Sequence, residues 1–278
     1  MTVHADIAQL TRGEAAGIGY LRRGGRTGGQ PLVLLHGIGS NSGSLAAMMA
    51  ALPPEIDAMA WDAPGYLQSR ALSQPSPTPR DYAAAAAEWM TALGISRCIM
   101  LGHSLGALFA ASFAAHFPKQ VAAIALLSPA LGYRVAPGAA LPPAVQSRID
   151  EIETLGPKAF AAKRASRLVG NPEQNPQTVA AVEKAMSAVN PSGYAQAVRA
   201  LGAGDLLADA ENIKSPALVA VGNRDLITPP DNARAAHAAL RGATEFHEIP
   251  DAGHALPQER PDVVARLIGR FVEEHANV

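Results

Sequence analysis

The chain has 278 residues, 48% of them hydrophobic and 17% charged, with a net charge of −1. That apolar content excludes global disorder and supports one large core, or one core carrying an insertion. The balanced charge, without a dense basic cluster, argues against nucleic acid or an anionic membrane surface as partner. A single cysteine, Cys98, rules out an internal disulfide; inside an apolar run it reads as a buried structural thiol. No run of about 18 apolar residues is present, and residues 1–10 lack a basic-then-apolar signal pattern. The expected location is the cytoplasm.

In chain order, residues 7–11 and 17–21 are weak strand candidates, and residues 24–30 form a glycine-rich turn. Residues 31–35 are a continuous apolar run ending at His36-Gly37, the pattern of a strand covered on both faces. Residues 42–52 predict a helix capped by a serine and stopped by Pro53-Pro54. Residues 56–61 predict the next strand, followed by Asp62-Ala63-Pro64-Gly65. Thr78-Pro79-Arg80-Asp81 opens a helix that runs to Leu93-Gly94, with proline in the first turn and glycine at the end. Its alanine run, residues 83–87, lies between Tyr82 and Trp89 and reads as a small-residue face against a sheet. Residues 97–101 are a strand, 107–117 a buried helix stopped by Pro118, and 121–127 another apolar strand. Strands and helices alternating over short links predict crossover units and a parallel sheet.

The alternation stops between residues 131 and 205. Helical candidates at 143–155, 158–169, 177–189 and 194–201 replace it, with apolar periodicity that excludes a linker. It resumes with a strand at 217–221, a helix at 231–240, a strand at 244–249 and an amphipathic helix at 261–275. The expected organisation is an α/β core made of residues 1–130 and 206–278, with residues 131–205 as a helical lid.

The chemistry centres on Gly102-His103-Ser104-Leu105-Gly106, a serine between two glycines where a strand meets a helix. Such a corner strains the serine backbone and crowds its neighbours, so residues without Cβ flank it. It also exposes the Ser104 hydroxyl and leaves the Leu105 N–H free at a helix start. A serine hydroxyl needs a base, and the base needs an orienting carboxylate. In an open parallel sheet, partners gather at the carboxyl ends of strands. Asp225 follows the 217–221 strand and His254 follows the 244–249 strand, so both fall on the edge that holds Ser104. Asp251 is the rival carboxylate, but a residue three positions from His254 in the same loop rarely approaches the ring from behind. His103, adjacent to the nucleophile, reads as structural, and the glycine after His36 suggests a backbone role there. A second oxyanion donor is expected after the 31–35 strand, from the N–H of Ile38 in His36-Gly37-Ile38-Gly39.

Taken with Asp62-Ala63-Pro64-Gly65, Gly222-Asn223-Arg224-Asp225 and Gly253-His254, these motifs make the chain resemble the α/β-hydrolase superfamily in its capped form. The resemblance implies a mostly parallel sheet with helices on both faces and a helical lid insertion. It implies Ser104 as nucleophile, His254 as general base, Asp225 as its orienter, and Ile38 and Leu105 as the oxyanion hole. Many relatives carry a glycine where this chain has Leu67, a departure that bears on a loop. Haloalkane dehalogenases and epoxide hydrolases of similar fold need an aspartate at the position of Ser104. Carboxylesterases, enol-lactonases, meta-cleavage-product hydrolases and perhydrolase-like enzymes remain. Relatives that cleave carbon–carbon bonds often have an asparagine at the position of His103 and a tryptophan at that of Ala255, so an ester, thioester or lactone is the better expectation. The alternatives are carbon–carbon cleavage of a diketone and a non-catalytic ligand sensor on the same fold. The expected enzyme uses no cofactor and no metal, and its partner is a small-molecule substrate. Met186, Val189 and Tyr194 are the candidate apolar pocket wall. Arg164, Arg167 and Arg199 are candidate carboxylate binders, against a plainer reading as solvated helix faces. An arginine pointing into the pocket would favour an acidic substrate.

Overall fold

The apolar runs assemble into one sheet. The computed structural model describes residues 9–25, 29–242 and 244–276. Its strands are β1 (Thr11–Ala15), β2 (Ile18–Arg23), β3 (Leu32–Leu35), β4 (Ala58–Trp61), β5 (Cys98–His103), β6 (Val121–Leu127), β7 (Ala217–Gly222) and β8 (Thr244–Ile249). Helices between and after them are α1 (Ala46–Ala50), α2 (Pro79–Ala92), α3 (Leu105–His116), α4 (Pro143–Arg164), α5 (Pro176–Ser187), α6 (Pro191–Ala203), α7 (Leu206–Ala210), α8 (Pro230–Ala239), α9 (Leu256–Glu259) and α10 (Pro261–His275). The strand order is β1-β2-β4-β3-β5-β6-β7-β8, antiparallel at β1–β2 and β2–β4 and parallel from β4 onward. Of the first strand candidate, residues 7 and 8 lie outside the described residues, as do residues 26–28 of the glycine-rich turn.

This order locates the site. From β3 the chain goes to β4 on one side, then crosses to β5 on the other, so the winding reverses between β3 and β5. Leu35 pairs with Gly102 at that seam, and the loops leaving both strands diverge there into a crevice. The carboxyl ends of β3 and β5 carry the His36–Gly39 loop and Ser104.

Period-two alternation separates the two faces of the sheet. Val33, Leu35, Cys98 and Met100 join a core with Trp61, Trp89 and Phe109. Leu32, Leu34, Ile99 and Leu101 join a second core with α1 and α10. Tyr82 stacks on Phe109 with ring centroids 4.2 Å apart. Residues 105–114 of α3 are all buried, which explains why this helix is apolar around its whole circumference. Cys98 lies in the same core, where burial pushes its thiol pKa up; its Sγ contacts Met90 Sδ at 3.9 Å.

Some local expectations are revised. Residues 42–52 begin as a 3-10 turn, Ser42–Leu45, and the cap is Asn41 rather than a serine. Asn41 has an extended backbone and its side chain accepts from the Gly43 N–H at 3.0 Å. The Ser42 N–H instead donates to Asp62 Oδ1 at 2.8 Å. Leu67 adopts φ 45, the left-handed conformation in which a glycine meets no steric penalty. Asn190 Nδ2 holds that turn by donating to the carbonyls of Gly65 and Leu67, each at 3.1 Å. The two helices expected at 143–155 and 158–169 are the two halves of α4, separated by the non-helical backbone of Gly156 (φ 72, ψ 162), but the second ends earlier, in a 3-10 turn at Ala165–Leu168. The short α7 and α9 were not expected; four or five residues carry too little periodicity to register.

Candidate active site

Ser104 has φ 56 and ψ −116, between the end of β5 and the start of α3. This left-handed backbone costs on the order of 1–3 kcal/mol. It is held by the Ser104 N–H donating to the Leu127 carbonyl at 2.9 Å, and by the Ser104 carbonyl accepting from Ala107 at 3.0 Å and Ala130 at 3.2 Å. The flanking glycines are required by contact. A Cβ on Gly102 would lie 2.2 Å from the Gly106 carbonyl oxygen, and one on Gly106 would lie 2.0 Å from that of Leu35. Gly106→Ala is therefore expected to destabilise the fold by at least about 3 kcal/mol, because backbone must move to admit the methyl group. Gly94→Ala, which would meet nothing within 4 Å, should cost less despite its φ of 73. Urea unfolding midpoints of the two variants check the ranking.

Three expected residues meet in this crevice. His254 Nε2 lies 2.9 Å from Ser104 Oγ, and His254 Nδ1 lies 2.9 and 3.1 Å from the two Asp225 carboxylate oxygens. All three residues are buried. An ionised carboxylate only accepts, so Nδ1 carries the imidazole proton and the bare Nε2 faces the serine hydroxyl. Burial alone would raise the Asp225 pKa. The charge and hydrogen bond of His254, with the Thr228 and Ile227 amides, outweigh it and hold the carboxyl at about 2. Asp251 faces away: it is largely exposed and ion-pairs with Arg224 at 2.6 Å.

Other groups fix this geometry. His103 Nε2 donates to the His254 carbonyl at 2.7 Å and so tethers the histidine loop. Burial, reinforced by the charge of His254, lowers the His103 pKa to about 3, so its ring is neutral. His36 acts through its side chain, contrary to the backbone role expected for it. Its Nδ1–H donates to the Gly37 carbonyl at 2.8 Å and its Nε2 accepts from the Ala63 N–H at 3.0 Å. The loops after β3 and β4 are thereby joined. Ile38 and Leu105 line the same chamber as Ser104. The Ile38 amide donates to no partner among the described residues, and that of Leu105, first in α3, has no carbonyl a turn earlier to bind.

Sequence reasoning missed Thr228 and Glu259. The Thr228 hydroxyl lies 3.0 Å from Asp225 Oδ2, 3.1 Å from His254 Nδ1 and 2.9 Å from the Ser128 carbonyl. Its place three residues after Asp225, in the turn that aims the carboxylate, was the available signal. Glu259 accepts from the amides of Gly253 at 2.8 Å and Gly170 at 2.9 Å, clamping the His254 loop to the chain after α4. Nothing in the local sequence pointed to it.

Two chambers open beside the serine. One, about 230 Å³, is lined by Ser104, Leu105 and Leu201; the other, about 320 Å³, by His254, Met186, Tyr194 and Phe160. They share Ile38, Arg148 and Ile227. Of the expected wall residues, Met186 and Tyr194 line the larger chamber. Val189 is buried in the core and lines neither. Arg164 and Arg167 also line the larger chamber, whereas Arg199 faces a separate cleft beside Ser76 and Val135.

Residues 30–261 match the family model described as alpha/beta hydrolase fold. The chain belongs to the α/β-hydrolase family. The human 1-acylglycerol-3-phosphate O-acyltransferase ABHD5 (Homo sapiens) is 33% identical over 102 residues, 36% of this chain; the match spans 29% of that relative's length. The pimeloyl-(acyl-carrier protein) methyl ester esterase of Chromobacterium violaceum is 28% identical over 251 residues, covering 89% of this chain and 96% of the relative. The crystal structure of the enol-lactonase from Burkholderia xenovorans is similar with a TM-score of 0.82 at 26% identity, covering 95% of this chain and all of that one, 100%. Among the described residues of this α/β-hydrolase, no group of three His, Cys, Asp or Glu could hold a metal ion. No helix among them is long and apolar enough to cross a membrane.

Proposed function

We propose that this α/β-hydrolase cleaves an ester, thioester or lactone through an acyl-enzyme on Ser104. The observation that carries the reading is the continuous chain from Ser104 Oγ through His254 to Asp225, with the free amides of Ile38 and Leu105 beside it. His254 Nε2 takes the hydroxyl proton as Oγ bonds to the substrate carbonyl carbon. The carbonyl oxygen becomes an oxyanion, and the two amides stabilise it where water is excluded; one such donor is worth about 10²–10³ in rate. The tetrahedral intermediate collapses, His254 gives its proton to the leaving alcohol or thiol, and the acyl group stays on Ser104. Water, deprotonated by His254, then attacks the acyl carbon and releases the acid. Side chains and water carry every proton and electron pair, so the sequence of steps needs no cofactor. Residues 131–205 act as the cap that closes both chambers over a small-molecule substrate.

A fluorophosphonate probe tests this reading. It should label the protein once, on the peptide containing Ser104, and abolish turnover of a short-chain 4-nitrophenyl ester in proportion to labelling. Full turnover by labelled protein, or label on another residue, would overturn it.

A further inference from the structure

Arg148 is the one chamber-lining guanidinium that reaches both halves of the pocket, since it borders the Ser104 chamber and the His254 chamber alike. Two other guanidiniums border the larger chamber. Arg164 is already engaged: its Nε donates at 2.6 Å to Glu151, a carboxylate it shares with Lys163, and its guanidinium lies 4.8 Å from the centroid of the Phe160 ring. Arg167 is exposed at the rim. Arg148 is half-buried on the inner side of α4, and among the described residues no carboxylate pairs with it. Its recorded neighbour is Tyr194, where burial raises the phenol pKa and the positive charge of Arg148 opposes the rise. Among the described residues, no aspartate or glutamate lines either chamber. The rest of the wall mixes the apolar side chains of Met186, Phe160, Leu226 and Ile227 with Ser147, Tyr194 and His254.

A partly desolvated cation without a counter-ion, in a pocket whose wall carries no carboxylate, is a poor stability device and a good recognition device. A guanidinium offers a planar fork of donors that fits a carboxylate bidentately. We infer that the substrate is an ester carrying a free carboxylate within a few bonds of the scissile carbonyl, and that Arg148 binds that carboxylate. The inference rests on Ser104 hydrolysis as proposed above and names the substrate class for it. The apolar walls then take the carbon chain between the two functional groups. Because Arg148 borders both chambers, the carboxylate can belong to the acyl part or to the alcohol part.

Two matched ester pairs decide. In the first, 4-nitrophenyl pentanoate is compared with mono-4-nitrophenyl glutarate, which places the charge on the acyl side. In the second, butyl butyrate is compared with 3-carboxypropyl butyrate, which places it on the alcohol side. The wild type is expected to favour the charged member of at least one pair by about 10- to 100-fold in kcat/KM, the range of a charge-assisted hydrogen bond. Arg148→Met should bring that ratio close to one, and Arg148→Lys, which keeps the charge and loses the fork, should fall between. A wild type with no preference in either pair overturns the inference. So does Arg148→Met with the preference intact, or with equal losses on both members. If fluorophosphonate labels Ser104 but none of the four esters is cleaved, the substrate class is wrong while the nucleophile stands. If neither labelling nor cleavage occurs, the hydrolase reading fails and this inference falls with it.

Discussion

Ser104→Ala is expected to lower kcat/KM for any cleaved ester by about 10⁴-fold or more while leaving the unfolding midpoint within error of the wild type. The loss is large because Oγ, His254 and Asp225 act as a unit, and without Oγ the imidazole has no hydroxyl to deprotonate. The fold is spared for reasons specific to this corner. The bonds that hold it run through the Ser104 backbone, to Leu127, Ala107 and Ala130, and an alanine keeps all of them. Alanine meets the same φ of 56 with the same Cβ, so no new strain is added. The Ser104 side chain makes its recorded hydrogen bond to His254 alone, at 2.9 Å. Loss of that neutral bond costs about 1 kcal/mol or less, since His254 keeps its bond to Asp225. Stopped-flow ester hydrolysis and urea denaturation on the same preparation measure both quantities. Turnover near the wild-type level would remove Ser104 from the chemistry.

Much of this site was legible because its residues sit at punctuation. Ser104 and Asp225 each follow an apolar run closely, His254 follows the more polar strand β8 in a Gly-containing loop, and the parallel sheet carries the ends of these strands to one edge. Thr228 apart, the residues missed lie where the sequence has no punctuation. Arg148 lies within α4, where its neighbours in sequence, Ser147 and Ile149, are a half-buried face apart and give no sign of which way it turns. Glu259 acts across a distance of 89 residues, on the amide of Gly170, and a contact of that span leaves no local pattern. Val189 lines neither chamber for a related reason: all three residues flanking the α5–α6 turn at Asn190-Pro191 are buried in the core, but only Met186 and Tyr194 also border the larger chamber. The turn was visible in the sequence; the rotation of the helices entering and leaving it was not, because it is set by packing against Gly39, Gly65 and Phe160.

Asp225→Asn should cost about 10⁴ in kcat/KM, whereas Asp251→Asn should change it less than about threefold, as for other exposed ion pairs. The difference follows from which oxygens are already committed. Asp225 Oδ1 accepts from the amides of Ile227 at 2.8 Å and Thr228 at 2.9 Å, so an asparagine at 225 turns its single carbonyl oxygen toward those two donors. Its NH₂ then occupies the place of Oδ2, 2.9 Å from His254 Nδ1. Two donors cannot face each other, so the imidazole moves its proton from Nδ1 to Nε2. Nε2–H now points at Ser104 Oγ and cannot accept the hydroxyl proton. The amide also gives no negative charge to stabilise the imidazolium. The opposite flip would preserve the tautomer but set the NH₂ against two backbone N–H groups, a buried clash of donors that no water relieves at a residue this enclosed. Asp251 loses only a solvent-exposed pair with Arg224 when it becomes asparagine. Steady-state kinetics of both variants, with unfolding midpoints to show that each is folded, test the ranking. Equal losses, or a greater loss at position 251, would mean that the carboxylate supporting His254 is not Asp225.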